Sequence, residues 1–536
     1  MHNFGMRKIS GIRGAPVAVS STMALTFMLL CLLPAGSRGQ PEVFNVVETT
    51  IEQVHSAYAS GTLTARQLVQ LYLDRIAAYD QQGPSINAII TINSDALEEA
   101  ERLDTAYQSS GLAGPLHGIP IIVKDQMDVA GMPTTLGSIL FQDYYPDRDA
   151  FVTERLKRAG AIILAKATLG ELAGGDTHGS LFGSTRNPYD LERTVGGSSG
   201  GSGASVAANF ATVAVGQEGF ASIRRPAAWN MIVGMRTSAG LVSRNGVFAG
   251  WPEVTGHLGP MARTVTDLAI LLDAMVGYDP ADPLTAHGVG HIPDSFTMFL
   301  DRQGLRGARL GILRESIGVG SEPESEDFAK VTARFDQAVS ELDAAGAILV
   351  DPVVIPNLTE LLSKRARSPT EAEAAFRVYF ERSASSPFAS IEEMVESADF
   401  GQITGYAQSR FLAAPHQAEH YAYLNARHEL MVSFLKIMAD NDLDAIVYKA
   451  VEHQPTLIED GVNPPFVNTK GIPHINTFLV YVPAIVVPAG FTDDDLPVGI
   501  TFMGRPYDDG EIIGLAYAYE QLTRHRRPPA STPPLP

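Results

Sequence analysis

The sequence predicts an α/β protein built as a single α/β/α layered domain, and three observations carry that prediction. Short apolar runs rich in branched residues recur at 119–123, 161–164, 213–215, 309–313, 445–448 and 485–487, the composition of strands buried on both faces. Stretches such as 266–276 and 328–345 carry apolar residues at helical spacing between those runs, and strands alternating with helices imply one layered domain. No internal repeat occurs. The 536 residues would allow two or more domains on length alone, yet one large α/β domain with an extended sheet also accommodates them.

Composition narrows the function before any motif is read. Hydrophobic residues make up 45% and charged residues 19%, an ordinary globular balance, and the formal net charge is -20. An acidic surface repels phosphate backbones and no basic stripe interrupts it, so nucleic acid is excluded as a partner. A small-molecule substrate and a monomer or homodimer are expected instead.

Residues 1–39 read as a secretory signal peptide rather than part of the fold. Arg7, Lys8 and Arg13 supply the positive region, and 23–33 supply an apolar core broken by Pro34 and followed by Ala35, Gly36 and Ser37. The apolar stretch is below spanning length, so cleavage between Ser37 and Gln40 and no stable membrane insertion are expected, the alternative being an uncleaved anchor. The protein is then periplasmic or extracellular. Cys31, the sole cysteine, lies in this segment behind Leu30, where a lipoprotein signal would need a small residue. The mature chain, 40–527 with its tail, therefore has no thiol and no disulfide although it enters an oxidising compartment.

A helix is signalled by Thr64 and Gln67, a capping box, followed by apolar positions to about Tyr79. The run 119–123 ends at Lys124, which should emerge from a buried strand with Ile121, Ile122 and Val123 as apolar neighbours able to lower its pKa. Residues 196–204 read GGSSGGSGA, a small-residue turn feeding an apolar segment, and Ser222 follows between Ala221 and an Arg-Arg-Pro. Residues 365–440 are helical in pattern and more polar, interrupted by Ser385, Ser386 and Pro387, and read as an insertion or cap. The proline-rich tail 528–536 is expected to be disordered.

A serine hydroxyl is a poor nucleophile at neutral pH and needs a base for its proton and donors for the oxyanion. No histidine lies in either block, so a buried lysine is the candidate base and a second hydroxyl the candidate relay. In this scheme Ser222 attacks, Ser198 passes the proton and Lys124 accepts it. Backbone N–H groups left uncovered by the small residues around Phe220 could point at the oxyanion.

At this point residues 45–525 resemble the amidase signature family of hydrolases, through HGIPIIVKD, LFGSTRNP at 181–188, GGSSGGSGA, SIRRPA, and the carboxyl-terminal PAIVVPAGF and LPVGITFMGRPYDD. The resemblance implies a single α/β/α domain with a large mixed β-sheet, a Ser, cis-Ser, Lys triad, and no cofactor or metal. By position it puts the nucleophile on Ser222, the relay in its cis peptide on Ser198, and the base on Lys124, with an oxyanion hole from Gly219, Phe220, Ala221 and Ser222. It also implies that Arg224 is structural. Gln217, Glu218, Phe220 and Ala221 depart from the family's Thr-Asp and paired glycines; the two Cβ atoms bear on substrate range, and Glu218 should preserve a structural hydrogen bond.

Rival patterns are weaker. Gly197 to Gly201 also fits the nucleophile elbow with Ser199 at its centre and His257, His453 or His474 as partner, but 189–194 are polar where a strand is wanted. His416 to His420 spell the inverted zinc-peptidase motif, and His287 with His291 form a second pair. The glycine-rich turn lacks the lysine of a P-loop. The reading is an exported amidase working through an acyl-enzyme, with an esterase or carbamate hydrolase on the same triad as the alternative. The pocket is expected from Gly174, Gly175 and Asp176 onward to His178, from Phe220, from the stretch around Trp251 and from the insertion, where Tyr379, Phe388, Phe400 and Tyr406 form either an apolar entrance or core.

Overall fold

The computed structural model describes residues 44–248, 255–366, 371–413 and 416–536. The expected signal peptide at 1–39 and Trp251 lie outside the described residues. Eleven strands form one sheet in the order Ile89–Ile92, Ile162–Ala167, Pro120–Lys124, Val213–Glu218, His257–Ala262, Val233–Arg236, Ala484–Phe491, Pro497–Met503, Ala445–Lys449, Arg309–Ile312 and Ile348–Val350. Pro120–Lys124 runs parallel to both its neighbours, as does Arg309–Ile312, while the pairings through the middle of the sheet are antiparallel. The sheet is therefore mixed. Successive side chains of a strand point to opposite faces, and Ile121 and Ile122 are both 0% exposed, so both faces are covered and the layers are those of an α/β/α fold.

The six apolar runs read from the sequence each coincide with a strand, with ends that differ by a residue or more. Five other strands carry weaker signals. His257–Ala262 holds Gly259 and Pro260 in its interior, residues that ordinarily argue against a central strand, and Pro497–Met503 begins on proline, a position a strand tolerates. Helix Ala65–Tyr79 starts as its capping box requires, with Gln67 N donating to the Thr64 hydroxyl at 3.1 Å and Thr64 N to the Gln67 side chain at 2.9 Å. Val265–Met275 and Glu326–Ala344 match the two helical stretches within a residue or two.

Between Ile348–Val350 and Ala445–Lys449 the described elements are helical, among them Glu371–Phe380, Gly405–Leu412 and Gln417–Asp440. The first two seat on the main body through an aromatic cluster that includes Phe141, Tyr144, Phe248, Phe376 and Phe380. An ion pair of Arg382 with Asp128 at 2.6 Å and a Tyr379 hydroxyl donated to the same carboxylate at 2.6 Å pin this seat.

The proline-rich tail corrects the sequence expectation. Buried Arg75 donates to Thr532 O at 2.8 Å and Pro533 O at 2.9 Å, and Ser531 donates to Pro188 O at 2.5 Å. Composition alone predicts disorder there, whereas a buried guanidinium with carbonyls to bind gives the segment fixed partners.

Candidate active site

Lys124 ends a strand whose five residues are all buried, and its own side chain has no exposed surface. Its Nζ donates to Ser198 Oγ at 2.8 Å and to Gln217 O at 3.4 Å. The second contact follows from sheet register: Val123 faces Val215 on the parallel neighbour, so the ends of the two strands arrive side by side. Burial pushes the Lys124 amine well below the ordinary lysine value; Glu218 opposes the shift and Arg410 adds to it. An amine held neutral can accept a proton.

Ser198 sits on the turn before helix Gly200–Ala207, and the Gly197–Ser198 peptide is cis. Its hydroxyl donates to Ala173 O at 3.1 Å while receiving Lys124. Ser199 N donates to Ser222 O at 3.0 Å, which draws the second serine block against the first. Ser222 is half-buried and lines a cavity of about 810 Å³ together with Gly197, Gly219, Phe220 and Ala221. The structure thus brings Lys124 to Ser198 and the Ser198 turn to Ser222.

Glu218 fixes the loop between strand Val213–Glu218 and helix Arg224–Trp229. Its carboxylate accepts from Ile223 N and Arg224 N at 3.0 Å each and from the Arg224 guanidinium at 2.6 and 2.8 Å. Burial by itself would raise this carboxyl, but Arg224 and Arg236 outweigh it and hold it below the ordinary glutamate value. Gly219 to Ser222 are therefore clamped at both ends by one side chain. Arg224 also donates to the Tyr448 hydroxyl at 2.8 Å, the structural part expected of it.

Arg225 joins three separate segments, donating to Gly197 O at 3.2 Å, Gly175 O at 3.3 Å and, more closely, Asn468 O. Its ion pair with Asp176 at 2.8 Å corrects one expectation. Gly174 and Gly175 line the cavity but Asp176 does not; it is turned behind the wall, because a buried carboxylate is tolerated where a guanidinium meets it. Gly174 permits a close approach: a Cβ there would come within 1.9 Å of Arg410 Nη1. At Gly175, with φ +77°, a Cβ would stand 2.7 Å from the Tyr406 ring. Helix Gly405–Leu412 thereby sets Tyr406 and Arg410 into the cavity, with Arg410 donating to Leu172 O at 3.1 Å.

Of the four aromatic residues singled out in the insertion, Tyr406 lines the cavity, while Tyr379, Phe400 and Phe388 belong to the aromatic cluster beneath it. Residues that sequence reading missed are Arg365, whose guanidinium lies 4.1 Å over the Phe220 ring centroid, together with Arg410 and Thr469. His474 enters in a different setting from the one considered: it lies 6.2 Å from the Phe220 ring, and burial with Arg365 lowers it to about 4. Arg365 lies in a polar stretch with no motif around it, and only packing assigns it to the site.

The elbow reading centred on Ser199 fails on geometry. That side chain is fully buried, its hydroxyl donates to Gln217 O at 3.1 Å, and it does not line the cavity. His453 pairs with Asp327 at 2.9 Å and His257 lies in a strand. His416 stands at the N-cap position of helix Gln417–Asp440 without a side-chain cap while His420 faces the cavity, and His291 stacks on Tyr507 at 4.0 Å. Among the described residues no group of three or more His, Cys, Asp or Glu is arranged to hold a metal ion. No described helix is long and apolar enough to cross a membrane.

Comparison with known proteins agrees with this architecture. The family model described as Amidase matches residues 67–513. A glutamyl-tRNA(Gln) amidotransferase subunit of Symbiobacterium thermophilum is 34% identical over 498 residues, which cover 88% of this chain and 96% of that protein. A probable amidase of Arabidopsis thaliana is 31% identical over 527 residues, covering 93% and 95%. Among solved structures, the native peptide amidase of Stenotrophomonas maltophilia superposes with a TM-score of 0.80 at 35% identity, over 91% of this chain and 99% of that one. On the strength of the fold, the motifs and these matches, the chain belongs to the amidase signature family, enzymes that act on the C–N bonds of amides.

Proposed function

We propose that this protein is an exported amidase that hydrolyses carboxylic amides through an acyl-enzyme on Ser222, with Ser198 as relay and Lys124 as base. The observation that carries the reading is the 2.8 Å contact of a fully buried amine with Ser198 Oγ, beside a cavity that Ser222 lines. Ser222 Oγ attacks the amide carbon and its proton passes to Ser198 Oγ, whose own proton goes to the neutral Nζ of Lys124. Backbone N–H groups of the Gly219 to Ser222 loop hold the oxyanion. The C–N bond then breaks as the proton returns along the same path to the leaving nitrogen, giving free amine and an ester on Ser222. Water attacks that ester with the same relay, and the acid leaves.

The amino-terminal pattern of positive residues, apolar core and small residues supports export, which leaves a small amide rather than a charged transfer RNA as the substrate. The peptide amidase of Stenotrophomonas maltophilia makes peptide amides reasonable first substrates. The test is release of 4-nitroaniline from acyl 4-nitroanilides and of ammonia from peptide amides, with Ser222→Ala as the blank. Turnover that survives Ser222→Ala, or a fluorophosphonate label on another residue, overturns the assignment.

A further inference from the structure

The two adjacent arginines behind Ser222 take different partners. Arg224 is bound to Glu218 and Tyr448, whereas Arg225, buried on the same short helix, turns to the segment that carries the relay. Its guanidinium donates at 3.2 Å to Gly197 O, the oxygen of the peptide that leads into Ser198, and at 3.3 Å to Gly175 O, and it pairs with Asp176 at 2.8 Å. Segment 170–177 is in turn the bed of the Ser198 turn. Gly170 N donates to Ser198 O at 3.0 Å, Ser198 Oγ to Ala173 O at 3.1 Å, and the Thr177 hydroxyl to Gly196 O at 2.8 Å. The fit has no slack: a Cβ on Gly197 would stand 2.2 Å from Gly175 O, and one on Gly196 would stand 3.2 Å from Arg225 Cγ.

We propose that Arg225 and Asp176 are positioning residues for proton transfer: Arg225 ties the carbonyl ahead of Ser198 to the helix that follows Ser222, and Asp176 fixes the guanidinium, so that the Ser198 hydroxyl stays in line between Ser222 and Lys124. The inference deepens the acyl-enzyme reading and rests on it. A hydroxyl relay works only with donor and acceptor within hydrogen-bond reach, and a misplacement of about 1 Å can cost about a hundredfold. The planar fork of a guanidinium fixes several acceptors at once, which the point charge of a lysine does not. Asp176 supplies the counter-charge that a buried guanidinium needs. Amide cleavage requires a proton delivered through Ser198 to the leaving nitrogen, whereas 4-nitrophenolate leaves without one, so a displaced relay harms an amide more than an activated ester of the same acid.

The test compares Arg225→Gln, Asp176→Asn, the double variant carrying both, and Arg225→Lys with the unsubstituted enzyme. Three quantities are measured: the thermal midpoint, the rate at which a fluorophosphonate labels Ser222, and kcat and KM for hexanoyl 4-nitroanilide and 4-nitrophenyl hexanoate. Each single neutral substitution leaves a buried charge unpaired and should lower the midpoint, and the double variant should recover most of that loss. Labelling is expected to fall at least about tenfold in Arg225→Gln and to stay low in the double variant. In both, the anilide-to-ester ratio of kcat/KM should fall about tenfold or more, through kcat, with KM within about threefold. Arg225→Lys, which keeps the charge opposite Asp176, should label faster than Arg225→Gln yet at least about threefold more slowly than the unsubstituted enzyme. Labelling that recovers with stability in the double variant, an unchanged anilide-to-ester ratio, or a loss confined to KM overturns the proposal, because the pair then serves folding or substrate binding alone. If the neutral variants do not fold, Arg225→Lys decides, and an unchanged labelling rate overturns the proposal. If the unsubstituted protein is labelled at Ser222 but cleaves neither substrate, the hydrolase reading falls and the labelling rates alone decide on the pair. Absence of labelling at Ser222 overturns both.

Discussion

Lys124 shows how a single side chain acquires a role from its surroundings. In water a lysine amine is protonated at neutral pH; here burial withdraws its hydration, and the depressed pKa makes the neutral amine available as a base. The sign of the pH dependence follows. Protonation abolishes the acceptor, so kcat/KM should fall as pH is lowered through the depressed Lys124 value and rise toward the alkaline side. A profile peaking below about pH 5.5 contradicts a lysine base. Lys124→Met and Ser222→Ala should each lower kcat by at least about a thousandfold in a nitroanilide assay, by the scale of losses for nucleophiles and bases that act as a unit. The three residues were legible in the sequence because each lies in a block whose residue types are unusual together. Arg365 was not legible, since a stacked arginine and a solvated one look alike in a polar stretch.

At the scale of elements, the site is held by strand ends and by one short helix from the insertion. The turn after Lys124 is fixed by an ion pair of Asp125 with Lys166 at 3.0 Å, both without exposed surface, and by Thr135 N donating to Asp125 at 3.0 Å. Removing one partner leaves a buried charge, so Lys166→Met should destabilise the fold by about 3–5 kcal/mol in a denaturant titration, and Asp125→Leu added to it should recover part of the loss. Helix Gly405–Leu412 reaches the cavity only because Gly174 and Gly175 let it approach. Gly174→Val would drive its side chain into the Arg410 guanidinium; its KM for amide substrates should rise about tenfold or more, while overpacking lowers the thermal midpoint by a few degrees. A KM within twofold of the starting protein would show that this helix does not shape the pocket.

Across the whole molecule, the carboxyl-terminal tail and distant segments are drawn onto the same body. Arg75 binds Ala208 O and Asn209 O at 2.9 Å each as well as two carbonyls of the tail. Deleting 528–536 strips two acceptors from a buried cation and should cost about 1–3 kcal/mol, read as a lowered unfolding midpoint. Asp509, buried and accepting from Ser238 N at 2.9 Å, is raised to about 7 because burial penalises its charged form. An unfolded aspartate titrates near about 3.9, so the folded protein binds an extra proton between those two values. The stabilisation from this group is complete below about pH 4 and is lost as pH rises through about 7. Asp509→Asn should flatten that part of the stability profile; an unchanged slope between about pH 4 and 7 counts against the raised value.

The sequence by itself determined the layered α/β class, the six strongest strands, the capped helix Ala65–Tyr79 and the two serine blocks with their lysine. These are local properties, set by periodicity, by capping chemistry and by the residue types a buried relay requires. Only the tertiary structure decided that His257–Ala262 and Pro497–Met503 are strands; in the first, neighbours on both sides override the interior Gly259 and Pro260. It also decided that the tail is anchored, that Asp176 faces Arg225 and not the cavity, and that Arg365 and Arg410 border it. Such outcomes depend on which distant groups share a small volume, and charge pairing and close packing act through distance in space, which the order of residues along a chain does not state.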